Sequence, residues 1–159
     1  MFSTEGLSEQ MNRALTELVT VSAEETASWG ARLAATLGGG EILLLHGALG
    51  AGKTVFAGGL AAGLDAAAWR GSPSYSLIHE YETTPRLYHA DLYRLTGAEA
   101  EGLGLEEYAT RESVLVCEWP ERAEEYLRGL ATSRLVDVWL QHTSANERSL
   151  RIREYREGV

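Results

Sequence analysis

Lysine is all but missing from this chain. Of 14 cationic residues in 159, only Lys53 is not an arginine. Its position therefore asks for something arginine does not supply, a compact charge on a slender stem. Cations are also outnumbered: 23 acidic residues leave a net charge of −9. That balance disfavours direct binding of free nucleic acid, which wants a basic face, so a role with RNA needs a basic partner to hold it. With one cysteine, Cys117, no internal disulfide can form. Cys117 falls in an apolar run and reads as a buried free thiol of a cytoplasmic protein. Long apolar runs are absent, and none approaches the ~18 residues of a membrane span. The first residues carry Glu5 and Glu9 ahead of any cation and have no hydrophobic core, unlike a secretion signal. His46, His79, His89 and His142 lack the spacing of zinc ligands.

What is present is enough for one domain with a proper core and too little for two. We divide the chain into a polar, aperiodic tail over 1–13 and a single domain over 14–159. A first strand is expected over 14–21. Ser22 and Glu25 have the spacing of a capping box that opens a helix over 23–37, with Trp29, Leu33 and Leu37 on its buried face. Gly38-Gly39-Gly40 stops that helix. A short apolar strand, 41–46, precedes a second helix over 53–64. Gly58 and Gly59 each weaken that helix by roughly 1 kcal/mol relative to alanine, and close packing on the sheet is the expected reason. Strands are expected over 75–81, 86–95 and 113–118, with a helical or irregular stretch over 97–111 and a short helix over 120–130. The segments 135–141 and 149–155 alternate like a hairpin around Ser144-Ala145-Asn146. Early helices and late strands argue for an α/β fold with a mixed sheet.

The chemistry concentrates at Gly47-Ala48-Leu49-Gly50-Ala51-Gly52-Lys53-Thr54, which fits G-x-x-x-x-G-K-[ST]. In that motif backbone N–H groups wrap phosphates, the lysine reaches the β/γ-phosphates and the hydroxyl ligates Mg²⁺. An apolar strand before the loop and a helix after it are the right flanks, and the helix N-terminus adds its own positive end. Glycines spaced G-x-x-G-x-G and followed by Lys-Thr do not match a dinucleotide fold. Glu118 ends the buried-strand pattern Val114-Leu115-Val116-Cys117. The C-terminal ends of strands are where ligands sit in open α/β sheets, so Glu118 either holds Mg²⁺ opposite Thr54, directly or through water, or caps the strand end toward solvent. In His89-Ala90-Asp91-Leu92-Tyr93-Arg94, strand geometry puts His89, Asp91 and Tyr93 on one face. Asp91 there serves either as a base or water-orienting group or in a structural network. Gly71-Ser72-Pro73-Ser74-Tyr75-Ser76 reads as an ordinary turn or as a switch segment sensing the γ-phosphate. Guanine-specific phosphate-loop proteins commonly read the base with a second lysine, and here the only lysine is committed. ATP is therefore preferred to GTP.

Taken in order, Gly47–Thr54, Ser72-Pro73-Ser74-Tyr75-Ser76-Leu77, His89 to Leu95 and Glu118-Trp119-Pro120 resemble the TsaE (YjeE) family. These are small bacterial P-loop ATPases needed to make threonylcarbamoyladenosine in tRNA. The resemblance implies a P-loop NTPase-like three-layer sandwich with a central mixed sheet. It implies that Lys53 and the loop amides hold ATP phosphates, that Thr54 and Glu118 ligate Mg, and that Asp91 supports hydrolysis. It also implies that Ser74 belongs to a switch-like loop, that Trp119 packs near the nucleotide, and that Ser22 and Arg148 contact the base. Ala48 stands where the family usually has an acid, and Ser74 and Ser76 replace threonines. The resemblance further implies TsaD and TsaB as partners, tRNA reached only through them, and ATP hydrolysis that resets the assembly. Two alternatives remain at this level. One is a small-molecule kinase, although Arg148, Arg151, Arg153 and Arg156 cluster on a presumed strand and not in a lid. The other is a nucleotide-gated binding module without turnover.

Overall fold

A computed structural model describes residues 12–73 and 75–156. Strand β1 (Asn12–Thr20) leads into helix α1 (Ala23–Ala34), strand β2 (Glu41–His46) and helix α2 (Lys53–Gly63). The chain continues through β3 (Ile78–Tyr81), β4 (Arg86–Asp91), the short α3 (Gly97–Glu101), β5 (Ser113–Glu118) and the short α4 (Glu124–Arg128). The hairpin β6 (Arg134–His142) and β7 (Arg148–Arg156) closes it. The seven strands form one sheet in the order β1-β7-β6-β2-β5-β4-β3. Its centre, β6-β2-β5-β4, is parallel, and antiparallel pairing adds β7 and β1 on one side and β3 on the other.

Helices cover both faces, as parallel strands require, because those strands are apolar on both sides. Leu43 and Leu45 of β2 face α1 and α2 through Phe56 and Leu60, while Ile42 and Leu44 face a second core with Leu105 and Leu127. The expected α/β three-layer architecture with a central mixed sheet is thus observed. Among the described residues no helix is long and apolar enough to cross a membrane.

Several boundaries differ from those expected. β1 begins at Asn12, so the last two residues assigned to a tail belong to the sheet; residues 1–11 lie outside the described residues. α1 stops at Ala34, and its buried face runs through Thr26, Gly30, Leu33 and Ala34. Trp29 is only partly buried, with the Arg32 guanidinium 4.7 Å over its ring. Ser22 Oγ accepts the Glu25 N–H at 3.1 Å, but the Glu25 carboxylate accepts from Val21 N and not from Ser22 N, so the capping box is half formed. β3 is confined to its last four residues because Leu77 turns the chain with φ +67°. β4 ends at Asp91, whose Oδ1 accepts the Tyr93 N–H at 2.9 Å and bends the chain away, so Tyr93 does not share the face of His89 and Asp91.

The paired glycines of α2 answer to two different neighbours. A Cβ at Gly59 would lie 2.0 Å from Ala27 O, so this glycine lets α1 and α2 approach closely. A Cβ at Gly58 would meet the Trp69 indole at 3.2 Å. The expected contact with the sheet is replaced by a helix on one side and a tryptophan on the other.

Candidate functional site

Three parallel strands bring the chemistry to one edge of the sheet. β2 ends at His46 and runs into the loop 47–52; β5 ends at Glu118; β4 ends at Asp91. The register pairs Asp91 with Glu118 and Leu45 with Glu118, so the three strand ends are level. Loop and helix N-terminus then lie across those ends, as the general geometry of open parallel sheets dictates.

The loop needs its glycines. Gly52 holds φ +106° immediately before the first helical residue, a left-handed setting that glycine adopts without a Cβ penalty. A Cβ at Gly47 would lie 2.5 Å from Leu140 O of β6. Ala48 and Leu49 are exposed on the loop, and Ala51 is buried beneath it, with its N–H donated to Ala48 O at 3.1 Å.

Lys53 is only 4% exposed. Its Nζ donates to Gly47 O at 2.5 Å and sits 3.4 Å from the centroid of the Trp119 ring. Burial pushes its ammonium pKa down, and the carboxylates of Glu118, Glu121 and Asp91 oppose that shift. Trp119 reaches this position by adopting a left-handed φ of 58°, and its ring packs against Tyr93 at 4.7 Å. A bulky residue in that region costs about 1–3 kcal/mol and persists where the surroundings enforce it.

Thr54 Oγ1 donates to Glu118 Oε1 at 3.0 Å, with Oε2 at 3.3 Å. Two hard oxygens at this spacing fit neighbouring positions around magnesium, which binds oxygen at about 2.1 Å in an octahedron and so sets adjacent ligands about 3.0 Å apart. The other face of Glu118 is occupied: His89 Nε2 lies 2.6 Å from Oε2. Asp91 is held at both oxygens, with Ser72 Oγ donating to Oδ2 at 2.5 Å and Tyr93 N to Oδ1.

Leu49, Gly50, Gly52, Lys53, Thr54, Asp91, Glu118, Trp119 and Arg148 all line one cleft of about 440 Å³. A smaller hollow of about 120 Å³ adjoins it through Gly52, Val55 and Arg148, and is walled by Ser22, Thr26 and Asn146. The two residues expected near a base, Ser22 and Arg148, therefore meet there although they are far apart in sequence. Arg151, Arg153 and Arg156 extend along β7 as a strand and form no lid. Ser74 lies outside the described residues.

Some contacts of the site have no distinct sequence signal. Ser72 falls in a segment that reads as a turn or a switch, and Arg94 in one that reads as a strand, and neither reading brings the residue to the cleft. His89 was visible two residues before Asp91, but its bond to Glu118 spans 29 positions and follows from strand order alone.

Known proteins resemble the chain over most of its length. A family model described as "Threonylcarbamoyl adenosine biosynthesis protein TsaE" matches residues 20–150. The "tRNA threonylcarbamoyladenosine biosynthesis protein TsaE" of Bacillus subtilis is 42% identical over 109 residues, covering 68% of each chain. The protein of that name from Aquifex aeolicus is 34% identical over 148 residues, covering 90% of this chain and 98% of its own. Among solved structures, the crystal structure of Bacillus subtilis YdiB superposes with a TM-score of 0.71 at 30% identity, covering 95% of this chain and 90% of that one. With the strand-loop-helix unit, the acid at the end of β5 and a family match over most of its length, this chain belongs to the TsaE family of threonylcarbamoyl adenosine biosynthesis proteins.

Proposed function

We propose that the protein is a magnesium-dependent ATPase of the cytoplasm that serves tRNA threonylcarbamoyladenosine formation as an accessory to TsaD and TsaB, turning over weakly alone and faster with them. The reading is carried by one observation: Lys53 and Thr54 from the head of α2, Asp91 from the end of β4 and Glu118 from the end of β5 line a single cleft. The loop amides and Lys53 grip the polyphosphate, and the amino end of α2 adds its dipole. Thr54 Oγ1 and Glu118 would hold magnesium, which would neutralise negative charge on the phosphate oxygens. Asp91, fixed at both oxygens by Ser72 and Tyr93, has lone pairs left to orient the attacking water and take its proton. The adenine rests in the smaller hollow, with the Arg148 guanidinium against its face and Ser22 at its edge.

ATP turnover resets the TsaD–TsaB assembly between rounds, and tRNA is met by those partners, in keeping with the net charge of −9. The test is phosphate release by the isolated chain and with a several-fold excess of TsaD–TsaB. Marked stimulation is expected, and equal rates would reject partner dependence. Lys53→Ala should lose most ATP affinity in a calorimetric titration; unchanged affinity would reject the nucleotide site itself.

A further inference from the structure

Glu118 is held from behind as well as from in front. Thr54 touches the oxygens that face the cleft, and His89 lies behind at 2.6 Å from Oε2 and only 1% exposed. Among the described residues His89 Nδ1 is buried with no hydrogen-bond partner, so the one proton of a neutral ring belongs on Nε2, pointing at the carboxylate. The ring does not hold this pose alone. The Trp69 indole stacks on it at 5.3 Å and 18°, and on Tyr81 at 5.5 Å and 20°. Gly58 of α2 leaves room for the indole, since a Cβ there would press on Nε1 at 3.2 Å and Cε2 at 3.3 Å. Trp69 belongs to the connector between α2 and β3. Three residues later the same connector supplies Ser72, whose hydroxyl bonds Asp91.

We propose that His89 is a positioning residue for the Glu118 carboxylate, and that Trp69 clamps its ring so that the 66–72 connector sets the orientation of both acids in the cleft. This rests on the reading of Thr54 and Glu118 as magnesium ligands. A carboxylate with free rotation presents its oxygen to a metal only part of the time. A donor fixed on one oxygen turns the other toward Thr54 and removes that cost, which is why outer-shell partners typically change metal affinity by about 10–100-fold. His89 touches neither nucleotide nor metal in this scheme, and its effect passes through Glu118.

The experiment uses the full chain and ADP, with calorimetric nucleotide affinity followed across a magnesium titration and again in EDTA. His89→Leu should raise the magnesium half-saturation about 10-fold while the affinity in EDTA stays within about two-fold of the parent. His89→Gln keeps an N–H donor near the Nε2 position and should remain within about three-fold. Trp69→Leu leaves the His89 bond in place but removes its stacking surface, and should raise the half-saturation about three-fold; it also carries the test if His89→Leu does not fold. The proposal is overturned if His89→Leu or, where that fails to fold, Trp69→Leu leaves the magnesium half-saturation within two-fold of the parent. It is overturned equally if His89→Gln is no better than His89→Leu, since simple packing would then explain both. A parent protein whose ADP affinity ignores magnesium would overturn the ligand assignment as well, and so separates the two failures.

Discussion

Replacing Gly59 with alanine is the sharpest probe of how the site is built. The added Cβ would lie 2.0 Å from Ala27 O, 2.7 Å from its carbonyl carbon and 2.8 Å from its Cα, all backbone atoms of α1. Carbon contacts settle near 3.5–4.0 Å, so the helices must part by roughly 1 Å or more. Parting them also opens the contact of Gly30 with Phe56 and Leu60, which is close enough that a Cβ on Gly30 would come within 2.3 Å of Phe56 O. Overpacking of this kind costs about 1–3 kcal/mol and sometimes more. Alanine returns roughly 1 kcal/mol of helix propensity. The 2.0 Å approach is to rigid backbone, which puts this case at about 3 kcal/mol, so the net loss is about 2 kcal/mol, a fall in melting temperature of roughly 4–8 °C for a chain of this size. Gly58→Ala is the internal control, because it gains the same propensity on the same helix but meets only the side chain of Trp69. Thermal melts by circular dichroism should separate the two variants by about 2 kcal/mol or more. Equal melting points would refute the close helix contact. The perturbation also reaches the site, since Ser22 and Thr26 of the α1 end and Val55 of α2 wall the same hollow.

Three further outcomes follow from particular side chains. Arg148→Ala should weaken ADP binding about 3–30-fold by calorimetry, and by the same factor with and without magnesium, because its proposed contact is to the base. Cys117 is fully buried and burial pushes its thiol pKa far up, so Ellman's reagent should react only after the protein is unfolded in guanidinium. Burial, with help from Arg70, lowers the His79 pKa below its ordinary 6.5. Stability from this group is therefore full above pH 6.5 and is lost as pH falls through the folded value. His79→Phe should lose less melting temperature than the parent when pH is lowered from 7 to 5.

What the sequence disclosed about the site was its local part. The loop and its flanks are contiguous, so Lys53, Thr54 and the glycines were legible as a unit. Glu118 was legible because it ends an apolar run, and the hairpin of β6 and β7 because its alternation is uninterrupted. Strand ends were less legible: β4 was extended through Leu95 because its residues suit a strand, while the Asp91 carboxylate captures the Tyr93 N–H and ends it four residues sooner. The roles of Gly58, Gly59, Trp69 and His89 depend on pairs that only the folded chain brings together. No periodicity within a segment encodes that Trp69 lies on His89 or that Gly59 faces Ala27.

The excess of acidic residues bears on the site's energetics. The protein is strongly acidic, and its cleft holds Asp91 and Glu118 beside Lys53, Arg94 and Arg148. A polyphosphate entering it meets cations and amides at the loop but two carboxylates at the strand ends. Carboxylate oxygens have no proton to donate to phosphate and repel it at short range. On the proposed reading, a divalent ion held by Glu118 and Thr54 would convert the repulsion at Glu118 into attraction. Each of the two ligands then improves the site for the other by an equal free energy, as linkage requires. On that reading the orientation of a single carboxylate would govern nucleotide as well as metal. That gives a physical reason for Glu118 to be gripped on both sides, by Thr54 from the cleft and by His89 from the core.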